Sequence, residues 1–214
     1  MKLKEIEEEI LECYSEDFST EQFEIFDTII KAIILNYIER FKSRFDFYLN
    51  NFARLKIDNS LITNAVHGYY KNPQGIVQRW FHQDVFVKFQ GTEPLDLLTN
   101  KLVTLKGKIK ACKNFDTLYN LIEAVSEPID NIGKLTCYDI ALRIGMALDL
   151  HPRFVYLHSG AERGYRLLVD ENVYNLKVPK SKFDRISSHF RDLESKYIED
   201  ILCIYKKSFA RIKI

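Results

Sequence analysis

FDTLYNLIEAVSEPIDNIGKLTCYDIALRIG, residues 115–145, is the stretch on which the reading of the fold turns. Leu118, Leu121, Ile122 and Val125 recur at helical spacing and define one apolar face. Pro128 ends that helix. Ile129-Asp130-Asn131-Ile132-Gly133 is then a short connection, with Asn131 and Gly133 the residues suited to positive φ. Thr136 opens a second helix, carrying Ile140, Ala141, Ile144 and Gly145. Two helices joined by so tight a corner imply a helical bundle, and the flanking sequence agrees.

The 214 residues hold only 8 glycines and 5 prolines, too few for the many tight turns of an all-β fold, while 46% hydrophobic residues supply a core. Upstream, Leu3, Ile6, Ile10, Leu11 and Tyr14 place a helix over 2–14. Ser19 and Gln22 form a capping-box pattern ahead of a helix from Thr20 to about Asn50. Phe23, Phe26, Ile30, Ile33, Ile34, Tyr37, Phe41, Phe45 and Tyr48 are its core stripe. Asn59 or Ser60 caps a helix running through Tyr70, which Asn72-Pro73 breaks, and Pro73 suits the first turn of a helix over Gly75 to Lys88. A turn at Gly91 to Pro94 leads into a short helix ending near Asn100. Alternation over Tyr165 to Val178, around Asp170-Glu171-Asn172, predicts a small β-hairpin, and Pro179–Leu193 and Ser195–Ala210 read as closing helices. The expected fold is mainly α: a multi-helix orthogonal bundle with one corner at 129–136 and room for one small β-hairpin. It is a single helical domain over 1–214, with 1–50 a candidate N-terminal subdomain.

Net charge is +1, but its distribution is uneven. Residues 1–24 hold nine acids and two lysines, which leaves 29 basic and 21 acidic residues in the remainder. The most basic stretch is 101–113, with Lys101, Lys106, Lys108, Lys110 and Lys113 and no acid. Cys13, Cys112, Cys137 and Cys203 show no metal-binding spacing and read as free, buried thiols of a reducing compartment. No metal or cofactor is expected. The N-terminus is too acidic for a signal peptide and no apolar run is long enough to span a bilayer, so a cytoplasmic location and no membrane partner are expected.

The 115–145 corner resembles the helix-hairpin-helix, whose hairpin runs hydrophobic–Gly–hydrophobic–Gly followed by Thr or Lys and a small residue. Asn131 stands at the first glycine, Ile132 at the hydrophobic anchor, Gly133 at the second glycine, Thr136 at the threonine and Cys137 at the small residue. The resemblance implies a backbone that approaches a phosphate closely, with the free amides of the second helix pointing at the anion. Lys134 adds a charge-assisted contact. Such contacts hold a nucleic-acid backbone without reading its sequence. The similarity extends distantly to the helical DNA glycosylases. Where their lyase-active members carry a catalytic lysine this chain has Leu135, and where they carry an aspartate, in Val155-Tyr156-Leu157-His158, it has Tyr156. The resemblance thus implies the binding element without the glycosylase machinery.

Residues 151–166, HPRFVYLHSGAERGYR, gather Arg153, His158, Arg163 and Arg166 around Gly160 and Gly164, and read either as an anion pocket or as a turn with solvated arginines. His158, Glu162 and Asp170 are the candidates for acid/base chemistry, with nothing in their spacing to require it. Asp139 reads as a solvent charge or a first-turn helix charge rather than a catalyst. The leading expectation is a non-catalytic protein that binds the backbone of nucleic acid, DNA in the first instance, through Asn131, Ile132, Gly133, Lys134 and Thr136, helped by Lys106, Lys108 and Lys110. The alternatives are a protein-interaction or inhibitor module docking through helical surfaces, the acidic 1–24 segment included, or a diverged glycosylase-like or nucleotide-processing enzyme.

Overall fold

The computed structural model describes residues 20–169 and 177–211, with side chains from Phe23 onward. The expected helix over 2–14, the Ser19–Gln22 capping box and Asp170-Glu171-Asn172 lie outside these residues. The fold is mainly α, as the periodicity predicts. The chain divides into two compact units, one of Met1–Ser43 with Arg153–Ile214 and one of Arg44–Pro152.

In the first unit α1 (Thr20–Tyr37) buries Phe26, Ile30, Ile33, Ile34 and Tyr37, while Phe23, expected in the same stripe, is exposed. A π-helical turn, Ile38–Lys42, follows directly. The expected helix to Asn50 is therefore three pieces, the last being α2 (Ser43–Asn50). The rest of this unit is a strand β3 (Phe154–Tyr156), helix α9 (Ser159–Val169), strand β4 (Lys177–Pro179), α10 (Lys180–Ile186), a 3-10 turn (Ser188–Phe190), α11 (Ser195–Ile204) and α12 (Lys206–Phe209). Of the hairpin expected over 165–178, the described residues 165–169 are helical and 177–178 belong to β4. Gly160, Ala161, Gly164, Tyr165 and Leu168 are buried at a helical period, and α9 takes in the first residues read as strand, up to Val169. β4 pairs instead with β3, antiparallel, with Val155 opposite Val178. α11 buries Tyr197, Ile198, Ile201 and Leu202, the face its spacing predicts. Tyr37 donates to Asp200 at 2.9 Å and Tyr205 to Asn36 at 2.6 Å, tying α1 to the C-terminal helices.

The second unit holds α2 beyond Ser43, α3 (Asn59–His67), strands β1 (Tyr69–Lys71) and β2 (Val77–Arg79), and helices α4 (Phe81–Gln90), α5 (Glu93–Thr104), α6 (Lys106–Ala111), α7 (Phe115–Ser126) and α8 (Lys134–Leu148). Asp58, rather than Asn59 or Ser60, caps α3, its carboxylate accepting from the Leu61 amide at 2.9 Å. α3 stops at His67 because Gly68 takes φ 68°, and Tyr69 and Tyr70 enter a hairpin. Asn72-Pro73, read as a helix break, is the hairpin turn: Asn72 Oδ1 accepts from the amides of Gln74 and Ile76 at 3.0 and 2.9 Å, and Gly75 supplies φ 78°. The helix expected from Gly75 consequently starts at Phe81, and the one expected to end near Asn100 runs to Thr104. α8 is buried over an unbroken run from Cys137 to Gly145, so it is the central helix of this unit. α3 and α7 pack against it.

Candidate functional site

The corner between α7 and α8 has its sequence at its surface. Ile129 is buried and anchors the loop, Ile132 and Thr136 are half-buried, and Asn131, Gly133 and Lys134 are exposed. Asn131 takes φ 69°, the left-handed conformation that asparagine tolerates better than other non-glycine residues. Gly133 does not: its φ of −91° and ψ of 172° are extended, so its value there is space, because a Cβ would meet nothing within 4 Å. α8 begins at Lys134, two residues before Thr136, with Gly133 as a cap that has no side chain to offer. The intrahelical ladder starts with the amide of Cys137, on Gly133 O at 3.1 Å, so the amides of the preceding turn have no intrahelical acceptor. A shallow cleft of about 470 Å³ adjoins the loop, lined by Ile132, Gly133, Lys134 and Cys137 on one side and by Glu123 and Glu127 on the other. Glu123 accepts from Tyr119 Oη at 3.1 Å. The rim is therefore mixed in charge, a feature the sequence pattern did not reveal because Glu123 and Glu127 stand on the first helix, ahead of the hairpin residues. Cys137 is buried beside Ser126 Oγ at 3.1 Å, and burial pushes its thiol pKa up, which keeps it neutral and unreactive. Cys112 and Cys203, expected to be buried, are only half-buried, and Cys13 lies outside the described residues.

The lysines of 101–113 are not part of this corner. Lys106, Lys108 and Lys110 lie on α6, before the start of α7, whereas the corner follows the end of α7, a helix roughly 18 Å long. Lys106 donates to Asn59 Oδ1 at 2.6 Å, whereas Lys108 and Lys110 are exposed.

The 151–166 segment is not a simple turn between helices, although Arg153 and Arg163 are solvated as the second reading expects. It is β3, a short link and the start of α9. Arg153 and Arg163 are exposed, Arg166 reaches Glu162 at 2.5 Å, and His158 is buried with Nε2 3.6 Å from Glu199. His158 is thus withdrawn from any solvent anion that Arg153, Arg163 and Arg166 meet. Nor do His158 and Glu162 converge, since each faces a different partner; Asp170 lies outside the described residues. The two glycines admit protein, not anion. A Cβ at Gly164 would lie 2.1 Å from Leu202 O, so α9 and α11 touch backbone to backbone there, whereas one at Gly160 would lie 2.4 Å from the side-chain Sγ of Cys203. Tyr156 is buried in β3.

The densest polar cluster is one the sequence reading did not foresee. Arg143, on α8, is fully buried. Its Nε donates to Tyr48 Oη, its Nη1 to Ala65 O at 2.6 Å and its Nη2 to Gln83 Oε1. Asp139, one turn earlier, lies 3.5 Å from Nη2, accepts from Gln83 Nε2 at 3.3 Å and meets His82 Nδ1 at 2.9 Å. Asp139 is buried, so it is not a solvent charge. Trp80 stacks on Tyr48 with centroids 3.9 Å apart, and a Cβ on Gly68 would press within 2.8 Å of Gln83 Oε1. The cluster satisfies a buried guanidinium on three sides and holds α2, α3, α4 and α8 in register. The available signal was the pair Asp139/Arg143 at i, i+4 inside a helix apolar on every side.

The chain matches no protein-family model, no curated protein and no solved structure. Among the described residues no helix is long and apolar enough to cross a membrane.

Proposed function

We propose that this protein binds the sugar–phosphate backbone of nucleic acid, DNA in the first instance, through the α7–α8 corner, and that it does so without chemistry. The observation that carries the reading is the first turn of α8: exposed Gly133 and Lys134 open it, and no side-chain hydrogen bond caps its amides. The left-handed Asn131 and buried Ile129 hold that turn open. Lys134 supplies the cation, and Lys108 and Lys110 serve a second phosphate farther along the strand. Glu123 and Glu127 limit affinity on the opposite rim, so binding is weak, sequence-tolerant and steeply salt-dependent.

Gly133→Asp tests this directly. Its extended backbone and empty surroundings accept the side chain, and aspartate is a better cap than glycine by a few tenths of a kcal/mol. The variant should therefore fold with equal or slightly greater stability while binding of a mixed-sequence DNA duplex falls about tenfold or more, because its carboxylate occupies the phosphate position. Lys134→Ala should reduce the slope of log K against log salt by about 1. Undiminished binding in Gly133→Asp would refute the corner's role.

A further inference from the structure

Helix α4 is amphipathic in the inverted sense. Phe81, Val85 and Phe89, at i, i+4 and i+8, are 65%, 39% and 73% exposed, and the two phenylalanines are the most exposed large hydrophobics among the described residues. The inward position is held by a polar residue, Gln83, 1% exposed, through Arg143 and Asp139. The polar cluster thus fixes the helix in an orientation that turns its apolar row to solvent. Isolated exposed hydrophobics are ordinary, but an aligned row of this kind marks a contact surface.

We infer that this row is the interface with a second copy of the chain, formed by antiparallel packing of α4 on α4. A row of residues four apart is the ridge that fits the groove between like rows of another helix. The charges beside it are self-complementary. Asp84 and Lys88 lie one turn apart on one edge of the row, which an antiparallel two-fold brings against the same edge of the other copy with its direction reversed. Asp84 then meets Lys88 of the second copy, and Lys88 meets its Asp84. Neither has a strong partner now: Asp84, 60% exposed, lies 3.8 Å from Arg79, and Lys88 makes no ion pair among the described residues. A fully buried aromatic contributes about 150–250 Å². The row is therefore smaller than the ~800 Å² per partner of a stable interface, so the dimer is weak and concentration-dependent. This pairing is independent of the α7–α8 corner.

Sedimentation equilibrium of the full chain without nucleic acid, from micromolar to tenth-millimolar concentration, tests it. The apparent mass should rise from 25.2 kDa toward twice that value. Phe89→Glu should remain monomeric with unchanged melting temperature, since Phe89 is 73% exposed and, among the described residues, its ring meets only the neighbouring Lys88 ammonium, at 6.0 Å. Asp84→Lys and Lys88→Asp should each weaken dimerisation about tenfold by placing like charges together, and the double variant should return to within about twofold of the parent. Gly133→Asp should leave the dimer intact. A mass of one chain at every concentration, a dimer that survives Phe89→Glu, or a double variant no tighter than either single one would overturn the proposal. The charge-reversal set decides alone should Phe89→Glu fail to fold.

Discussion

Arg143→Met should destabilise the 44–152 unit by about 3–5 kcal/mol, enough to unfold a domain of ordinary stability. Methionine fills much of the volume, so the loss is electrostatic rather than a cavity. Removing the guanidinium leaves Tyr48 Oη, Ala65 O and Gln83 Oε1 buried with a donor withdrawn, and strips Asp139 of a cation one turn away. Arg143→Lys should recover only part of the loss, because one ammonium cannot reach acceptors arranged around a planar fork. The chain's one tryptophan, Trp80, is stacked on Tyr48, so urea titration followed by its fluorescence reports on this unit directly. A loss below about 1 kcal/mol for Arg143→Met would mean that water already serves these acceptors.

Gly164→Ala should cost about 2 kcal/mol in the other unit, although alanine favours a helix interior over glycine by about 1 kcal/mol. The obstacle is backbone: the added carbon would stand 2.1 Å from Leu202 O, so α9 and α11 must part along their length. Cys203 Sγ beside Gly160 would lose its contact in the same movement. The control is Gly107→Ala in α6, where a Cβ meets nothing within 4 Å and no such penalty applies. Hydrogen exchange on α9 and α11 would resolve the two, with faster exchange expected for Gly164→Ala alone. Equal protection in both variants would show that α11 yields without cost.

The contrast between these sites explains what could be read from the sequence. α7 and α11 were legible because each has one wet face, and burial at Leu118, Ile122, Ile198 and Ile201 follows the helical period. The 69–79 hairpin was not, because Asn72-Pro73-Gln74-Gly75 punctuates a helix and a hairpin with the same residues; the strands it joins are only three residues each. Gly160 and Gly164 have the same ambiguity, since a glycine admits any close neighbour and only the fold shows that the neighbour is α11. The buried cluster was beyond reach for another reason: periodicity says which residues turn inward, not which of them meet across Tyr48, Gln83 and Arg143. The corner at 129–136 stood out because its pattern is local, yet the acid rim from Glu123 and Glu127 belongs to the preceding helix and modifies what that pattern alone implies.

The central claim concerns four consecutive amides, and an amide-resolved measurement reaches them. In an ¹⁵N-labelled sample titrated with a mixed-sequence DNA duplex at low salt, the N–H signals of Gly133, Lys134, Leu135 and Thr136 should shift first and furthest, and should return as salt is raised. If those four stay in place while the duplex binds elsewhere, or if no signal moves at all, the corner does not hold a phosphate backbone.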